Sequence, residues 1–338
     1  MKENITCAYC DGVALLKKDK KEIKYRKDVF TILAHFYQCE SCKERFTNSE
    51  TDTISLLQVH NQYREKYHIP FPDEIADIRN TYGLSASKMS EVLGLGANGY
   101  SNYENGEIPT PAIGNLLSAA AEATTFLQLV NKANTHFSEN ALKKTNERMQ
   151  ELITEIQQKE SVYQLLNSHT NPGHFTGFKK TNPLKIAALI THFIQHGKSA
   201  FNDKLKLNKL LFFSDFHHFK CKGVSICGLS YRAIQYGPVP SQYDNIYRYL
   251  ENEQIISAKF LRMPNGAARE VFVSNSDFDE SLFSDTELAT LTHITKQFSN
   301  TPTWHMVELS HKEKAWKELA SQKAFISYQQ YAFDLKSV

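Results

Sequence analysis

Two Cys-x-x-Cys pairs, Cys7-Ala8-Tyr9-Cys10 and Cys39-Glu40-Ser41-Cys42, constrain the N-terminal segment more than any other feature of the chain. A Cys-x-x-Cys turn aims two sulfurs at one point. Two such turns, 28 residues apart, complete the tetrahedral sulfur set that suits Zn2+. A redox pair opens a helix beside a βαβ pattern, and no such pattern follows here. Four protein ligands leave no open coordination position, so the expected ion is structural rather than catalytic. His35 is a possible substitute ligand, but a strand residue in "VFTILAHFY" is the simpler reading. A segment of fewer than about 50 residues buries little core, and metal binding supplies folding free energy in its place. Cys221 and Cys227 lack this spacing and read as ordinary thiols.

The 338 residues suffice for roughly two or three domains. Hydrophobic residues make up 41% and charged residues 22%, with a net charge of +2, which excludes polyelectrolyte behaviour. No leader peptide is visible, and no apolar run approaches the roughly 18 residues a membrane span needs. A cytoplasmic, reducing location without disulfides follows as the expectation. The fold class expected is α+β, mainly α. A zinc ribbon occupies 1–48, a helix-turn-helix bundle 49–117, and a helical connector and linker 118–182. A mixed α/β domain occupies 183–338.

Short helices joined by glycine turns describe residues 72–117. Ile75, Ile78 and Tyr82 share a face, Gly83 ends that helix, and Ser85 can cap the next. Met89, Val92 and Leu93 supply its buried side. "GLGANG" fits the dinucleotide fingerprint literally, but a helix rather than a strand precedes it, so that reading fails. Leu142, Thr145, Met149, Leu152, Ile156, Tyr163 and Leu166 follow three- and four-residue steps, with Lys159 as the polar exception. Such a stripe packs on its own chain or pairs with a second copy, and both readings stay open. "NSHTNPGHFTGFKKTNP" reads as a linker. Beyond it, "PLKIAALITHFIQH" and the more apolar "LKLNKLLFFSDFHHFK" read as helices. "LSYRAIQYGPVP" reads as a strand entering a turn, and "QIISAKFLRM" with "AREVFVSN" as a strand pair.

A helix-turn-helix places its second helix in the DNA major groove. Asn98 and Asn102, one turn apart, are candidate base readers, since Asn pairs bidentately with adenine. Tyr100 and Ser101 are candidates for phosphate or a thymine methyl, and Lys88 and Arg79 for phosphate. Charge argues the other way. Residues 71–120 carry only Arg79 and Lys88 against six carboxylates. Dimerisation and the flanking Arg64 and Lys66 are expected to compensate. In the C-terminal part, Tyr236-Gly237-Pro238-Val239 makes a rigid turn, and Tyr243, Tyr247 and Tyr249 are either amphipathic anchors of the kind interfaces favour or, for half or more of them, core residues. His217-His218 reads as a packed or surface pair rather than a metal site. No HExxH, P-loop or Ser–His–Asp constellation points to an enzyme.

The Cys7/Cys10 and Cys39/Cys42 pairs followed by "LSASKMSEVLGLGANGYSNYENGEIPTP" resemble the MqsA antitoxin family over about the first 120 residues. That resemblance implies a structural zinc domain before an Xre-type helix-turn-helix that binds palindromic operators as a homodimer. The family's base-reading asparagine falls on Asn98. Its base-reading arginine falls on Asn102, and its usual glutamine on Ala86, departures that imply a different operator preference. "LKLNKLLFFSDFHHFK" and "YRAIQYGPVP" resemble the Panacea domain of SocA-like antitoxins over about 150 residues, although Ile234 and Gln235 stand where a tryptophan is common. Panacea domains neutralise unrelated toxins by direct binding. The combination implies a type II antitoxin that binds a cognate toxin through its C-terminal domain, with Tyr236, Gly237, Pro238, Val239, Tyr243 and Tyr247 as candidate contacts. It also implies that the chain represses its own operon. The competing expectation is a stand-alone zinc-containing transcription regulator with a ligand- or protein-sensing C-terminal domain.

Overall fold

The computed structural model describes residues 1–158, 171–198, 202–262 and 268–338. They form a mainly helical α+β protein in which the chain divides into two compact units. One unit joins Met1–Val59 to Leu166–Val338; the other is His60–Leu165.

The first unit opens with an antiparallel sheet of order β1-β2-β3-β4: Asn4–Thr6, Val13–Tyr25, Asp28–Cys39 and Arg45–Phe46. The long β2–β3 hairpin runs in register from Ala14↔Cys39 to Tyr25↔Asp28. Alternation buries Phe30 and Ile32 on one face of β3 and His35, Tyr37 and Cys39 on the other, while the lysines of β2 stay exposed. Helix α1 (Ser49–Tyr67) follows; its Gln58 side chain bonds both Leu33 N–H and Leu33 C=O, pinning the middle of β3.

Helices α2 (Pro72–Tyr82), α3 (Ala86–Leu93), α4 (Gly99–Glu104), α5 (Pro111–Ala120), α6 (Ala123–Lys132) and α7 (Glu139–Gln158) build the second unit. Their ends follow local chemistry. Gly83 and Gly94 adopt left-handed φ values of 63° and 66° and stop α2 and α3. The Ser85 hydroxyl accepts from Lys88 N–H, and Thr110 caps α5 ahead of Pro111. Ile75, Met89, Tyr100, Leu117, Phe126 and Met149 form one core. Thr145, Met149 and Leu152 are buried, so this half of the α7 stripe packs on its own chain. Lys159, Tyr163 and Leu166 lie outside the described residues.

The rest of the first unit is arranged around one helix. Helix α8 (Pro183–His196) precedes α9 (Lys204–Lys222), which is buried on nearly every side, its polar residues Lys206, Asn208, Lys209, Ser214, Asp215 and His218 included. Hairpin β5–β6 (Tyr231–Ile234, Gly237–Pro240) lies against α9. Then come α10 (Tyr243–Asn252), hairpin β7–β8 (Ile256–Arg262, Ala268–Ser274), α11 (Asp285–Phe298), α12 (Thr303–Lys312), α13 (Lys314–Leu319) and α14 (Tyr328–Tyr331). The described part of the expected linker is packed rather than extended. Phe178 is fully buried against Phe219, and Ser225 N–H donates to Gly177 C=O. Composition suggested a loop; a buried phenylalanine between turn formers makes it a plug.

The N-terminal sheet docks on this module. Lys18 pairs with Asp334 and donates to Phe333 C=O, and the His35 ring packs on Phe333 at 5.0 Å.

Candidate metal centre and recognition surfaces

Cys7 and Cys10 flank the turn after β1, while Cys39 ends β3 and Cys42 lies in the turn before β4. All four Sγ atoms fall within 4.8 Å of one another, with Cys7–Cys42 at 3.7 Å and Cys10–Cys39 at 3.5 Å. A tetrahedron with Zn–S bonds of about 2.3 Å requires sulfur separations of about 3.8 Å, so the donor set fits. The N–H groups of Tyr9 and Ser41 point at Cys7 Sγ and Cys39 Sγ, each at 3.4 Å, as thiolate ligands require. Gly12 is needed nearby: a Cβ there would stand 2.7 Å from Ser41 Oγ and 3.3 Å from Cys39 Sγ. Apart from the sulfurs, the cluster buries only Ala14 and Tyr37, with Ile5, Leu16 and Phe46 partly covered. The cluster thus supplies little apolar burial of its own.

In the second unit, the Gly94–Asn98 turn joins α3 to α4. Asn98 and Asn102 are exposed, and Asn102 N–H donates to Asn98 C=O at 2.9 Å, which sets the two side chains one helical turn apart. Ser101 is half-buried. Tyr100 occupies the core instead of the surface: it is fully buried, and its hydroxyl donates to Ile75 C=O at 2.7 Å. A six-residue helix can anchor itself only through its inward residue, and Tyr100 is that residue. Arg79 pairs with Glu104 at 2.6 Å, and Lys88 pairs with Glu91 and donates to His136 C=O. Arg64 is buried and donates to the carbonyls of Gly106 and Glu107, so it does not offset the local acidity at the surface.

In the C-terminal part, Gly237, Pro238, Val239 and Tyr247 are buried, Tyr243 is half-buried, and Tyr236 is exposed. The turn motif has an internal role. Lys209, wholly buried on α9, donates from Nζ to Pro238 C=O at 2.7 Å. Burial alone pushes that ammonium down to about 7. Gly237, with φ of 95°, lets the hairpin close over it. The turn is also held from outside by Trp316, whose Nε1–H donates to Ile234 C=O. Tyr247 stacks on Phe272 and bonds Asn208.

A second buried charge on α9, Asp215, accepts from Ile226 N–H, Cys227 N–H and the Tyr231 hydroxyl at 2.8 to 2.9 Å. Burial raises its carboxyl to about 6 in spite of these donors. The sequence reading passed over Lys209 and Asp215. Their signal was partial: Lys209 and Asp215 sit amid the apolar run of the helix centre, where a charge is buried with partners.

Two segments of the chain are similar to antitoxin families. Residues 5–128 match the family described as antitoxin component of bacterial toxin-antitoxin system, MqsA, and residues 207–317 match antitoxin SocA-like, Panacea domain. No curated protein matches the chain. Domains of this kind imply a cognate toxin as partner and are typically non-enzymatic. No helix among the described residues is long and apolar enough to cross a membrane.

Proposed function

We propose that the chain is the antitoxin of a type II system, acting in the cytoplasm as a homodimer. Its C-terminal domain, 183–338, captures the toxin, and its helix-turn-helix bundle, 49–117, represses the operon at a palindromic operator. The ribbon, 1–48, holds one structural Zn2+ on Cys7, Cys10, Cys39 and Cys42. The observation that carries this reading is the presence, in one chain, of segments matching two antitoxin families.

The exposed candidates define where to look. Toxin contact falls on Tyr236 and Tyr243 at the rim of the hairpin, with the buried Gly237, Pro238, Val239 and Tyr247 shaping it from beneath. Base reading falls on Asn98 and Asn102. Ser101, Lys88 and Arg79 support them at the backbone, while Tyr100 holds the reading helix in place. Co-expression with each adjacent open reading frame tests the proposal. Rescue of growth from one lethal neighbour, followed by co-purification of the two chains, is the expected outcome. Rescue from no neighbour would favour the stand-alone regulator.

A further inference from the structure

Residues 324–335 run as a strap between two features of the first unit, hairpin β5–β6 and the cysteine-bearing sheet. At its start the strap is a third strand on β5. Ala233 N–H donates to Ala324 C=O at 3.1 Å, Ile326 N–H donates to Tyr231 C=O at 2.9 Å, and Phe325 pairs with Arg232 between them. Tyr328 then anchors the strap inside: its ring stacks on Phe216 at 4.1 Å, and its hydroxyl donates to Leu229 C=O at 2.7 Å.

The far end of the strap is held by the strands of the ribbon. Gln329 Nε2 donates at 2.7 Å to Gln58 Oε1, the oxygen that also accepts from Leu33 N–H of β3. Phe333 is buried, with the His35 ring of β3 at 5.0 Å and the Phe219 ring of α9 at 5.7 Å. Lys18, the register partner of His35, donates to Phe333 C=O at 2.8 Å and pairs with Asp334, which also pairs with Lys314 at 3.0 Å. The strand that seats Phe333 is therefore the strand that ends in a metal ligand. Cys39 lies four residues beyond His35, about 13 Å along β3. When such a donor set is loaded, its binding free energy enters the folding of the strands that carry it.

We propose that zinc loading of the four cysteines is coupled through this strap to the pairing of hairpin β5–β6. A loaded ribbon fixes the end of β3, keeps His35 and Lys18 seated on Phe333 and Asp334, and so holds the strap in register on β5. The two states are the strap paired with Phe333 seated, and the strap released. By linkage, anything that steadies the hairpin raises zinc affinity by the same factor. The consequence for toxin capture rests on the reading of Tyr236 and Tyr243 as its rim; the coupling itself does not.

Hydrogen exchange of the full chain, with zinc bound and after chelation, tests the coupling at single amides. Ala233 and Ile326 exchange about tenfold faster without metal, whereas Leu291 and Ile294 in the middle of α11 keep their rates. Unchanged exchange at Ala233 and Ile326 overturns the proposal. Equal acceleration at all four amides also overturns it, because that is general loosening rather than transmission through the strap. In Phe333→Ala, zinc affinity measured against a chromophoric chelator falls by about fivefold or more, although all four ligands remain. Should that variant fail to fold, Lys18→Met removes the donor to Phe333 C=O at a partly exposed position and lowers zinc affinity by about threefold. Undiminished affinity in the variant that folds refutes the coupling. No toxin enters these measurements, so their failure leaves the antitoxin reading standing, and the absence of a lethal neighbour leaves the coupling standing.

Discussion

Gly237→Ala tests the assignment of the turn motif to the interior. A Cβ at residue 237 would fall on Ser310 Oγ and stand 2.8 Å from Lys209 Cε and 3.1 Å from its Nζ. Three costs add. Holding a non-glycine residue at φ of 95° costs about 1–2 kcal/mol. Forcing the hairpin off α9 adds about 1–3 kcal/mol of overpacking. Separating Pro238 C=O from Lys209 Nζ strips a buried amine of its partner, at about 1–3 kcal/mol. The sum, about 3–8 kcal/mol, is a large part of the 5–15 kcal/mol typical of a domain. Urea unfolding followed by tryptophan fluorescence reads it selectively, because the two tryptophans, Trp304 and Trp316, both lie in the C-terminal part and Trp316 bonds the hairpin itself. Adding Ser310→Ala removes the oxygen in the way and restores part of the loss. A loss under about 1 kcal/mol in Gly237→Ala, or no recovery in the double variant, would show that the hairpin does not close over Lys209 as argued.

Chelation or Cys39→Ser removes one zinc per chain and unfolds the ribbon, detected by metal analysis and by new protease cleavage within residues 1–48; acidification releases the ion as thiolates protonate. Asn98→Ala and Asn102→Ala each cost about 1–3 kcal/mol in operator binding, measured at fixed salt. Tyr100→Phe instead lowers thermal stability, by about 1 kcal/mol, because Ile75 C=O loses its donor. Glu287 is buried, which raises its carboxyl, yet Lys179 and Lys185 outweigh that and hold it down to about 2. With the folded value below the ordinary 4.5, its stabilisation is present above pH 4.5 and is lost as pH falls towards 2. Acid titration of Glu287→Gln, with a shallower decline across that window, checks this.

The sequence was most legible where structure is local. Cys-x-x-Cys spacing fixes two ligands at once, and Gly83, Ser85, Gly94 and Pro111 mark helix ends by their own backbone chemistry. It was least legible where a side chain's direction depends on distant packing. Nothing near Tyr100 or Tyr247 says that each points inward; that depends on Ile75 and on Asn208, 25 and 39 residues away. Phe178 read as loop because its neighbours are turn formers, while its pocket is made by α9. The docking of Lys18 on Asp334 spans 316 positions and leaves no local pattern at all. The buried charges of α9 were visible but unread, since the same helix carries half-exposed or exposed lysines at both ends and nothing local tells the two kinds apart.

Asp215 gathers donors from Ile226, Cys227 and Tyr231 onto a single carboxylate out of reach of water. Replacing it by an amide would set donor against donor, so no single change there is neutral: position 215 can vary only in concert with the chain that wraps it. Arg232, Gln235 and Tyr236, on the open side of the same hairpin, answer to no such veto. Mutation is thereby steered outward, and a scaffold of this design can trade one partner for another while its interior stands still.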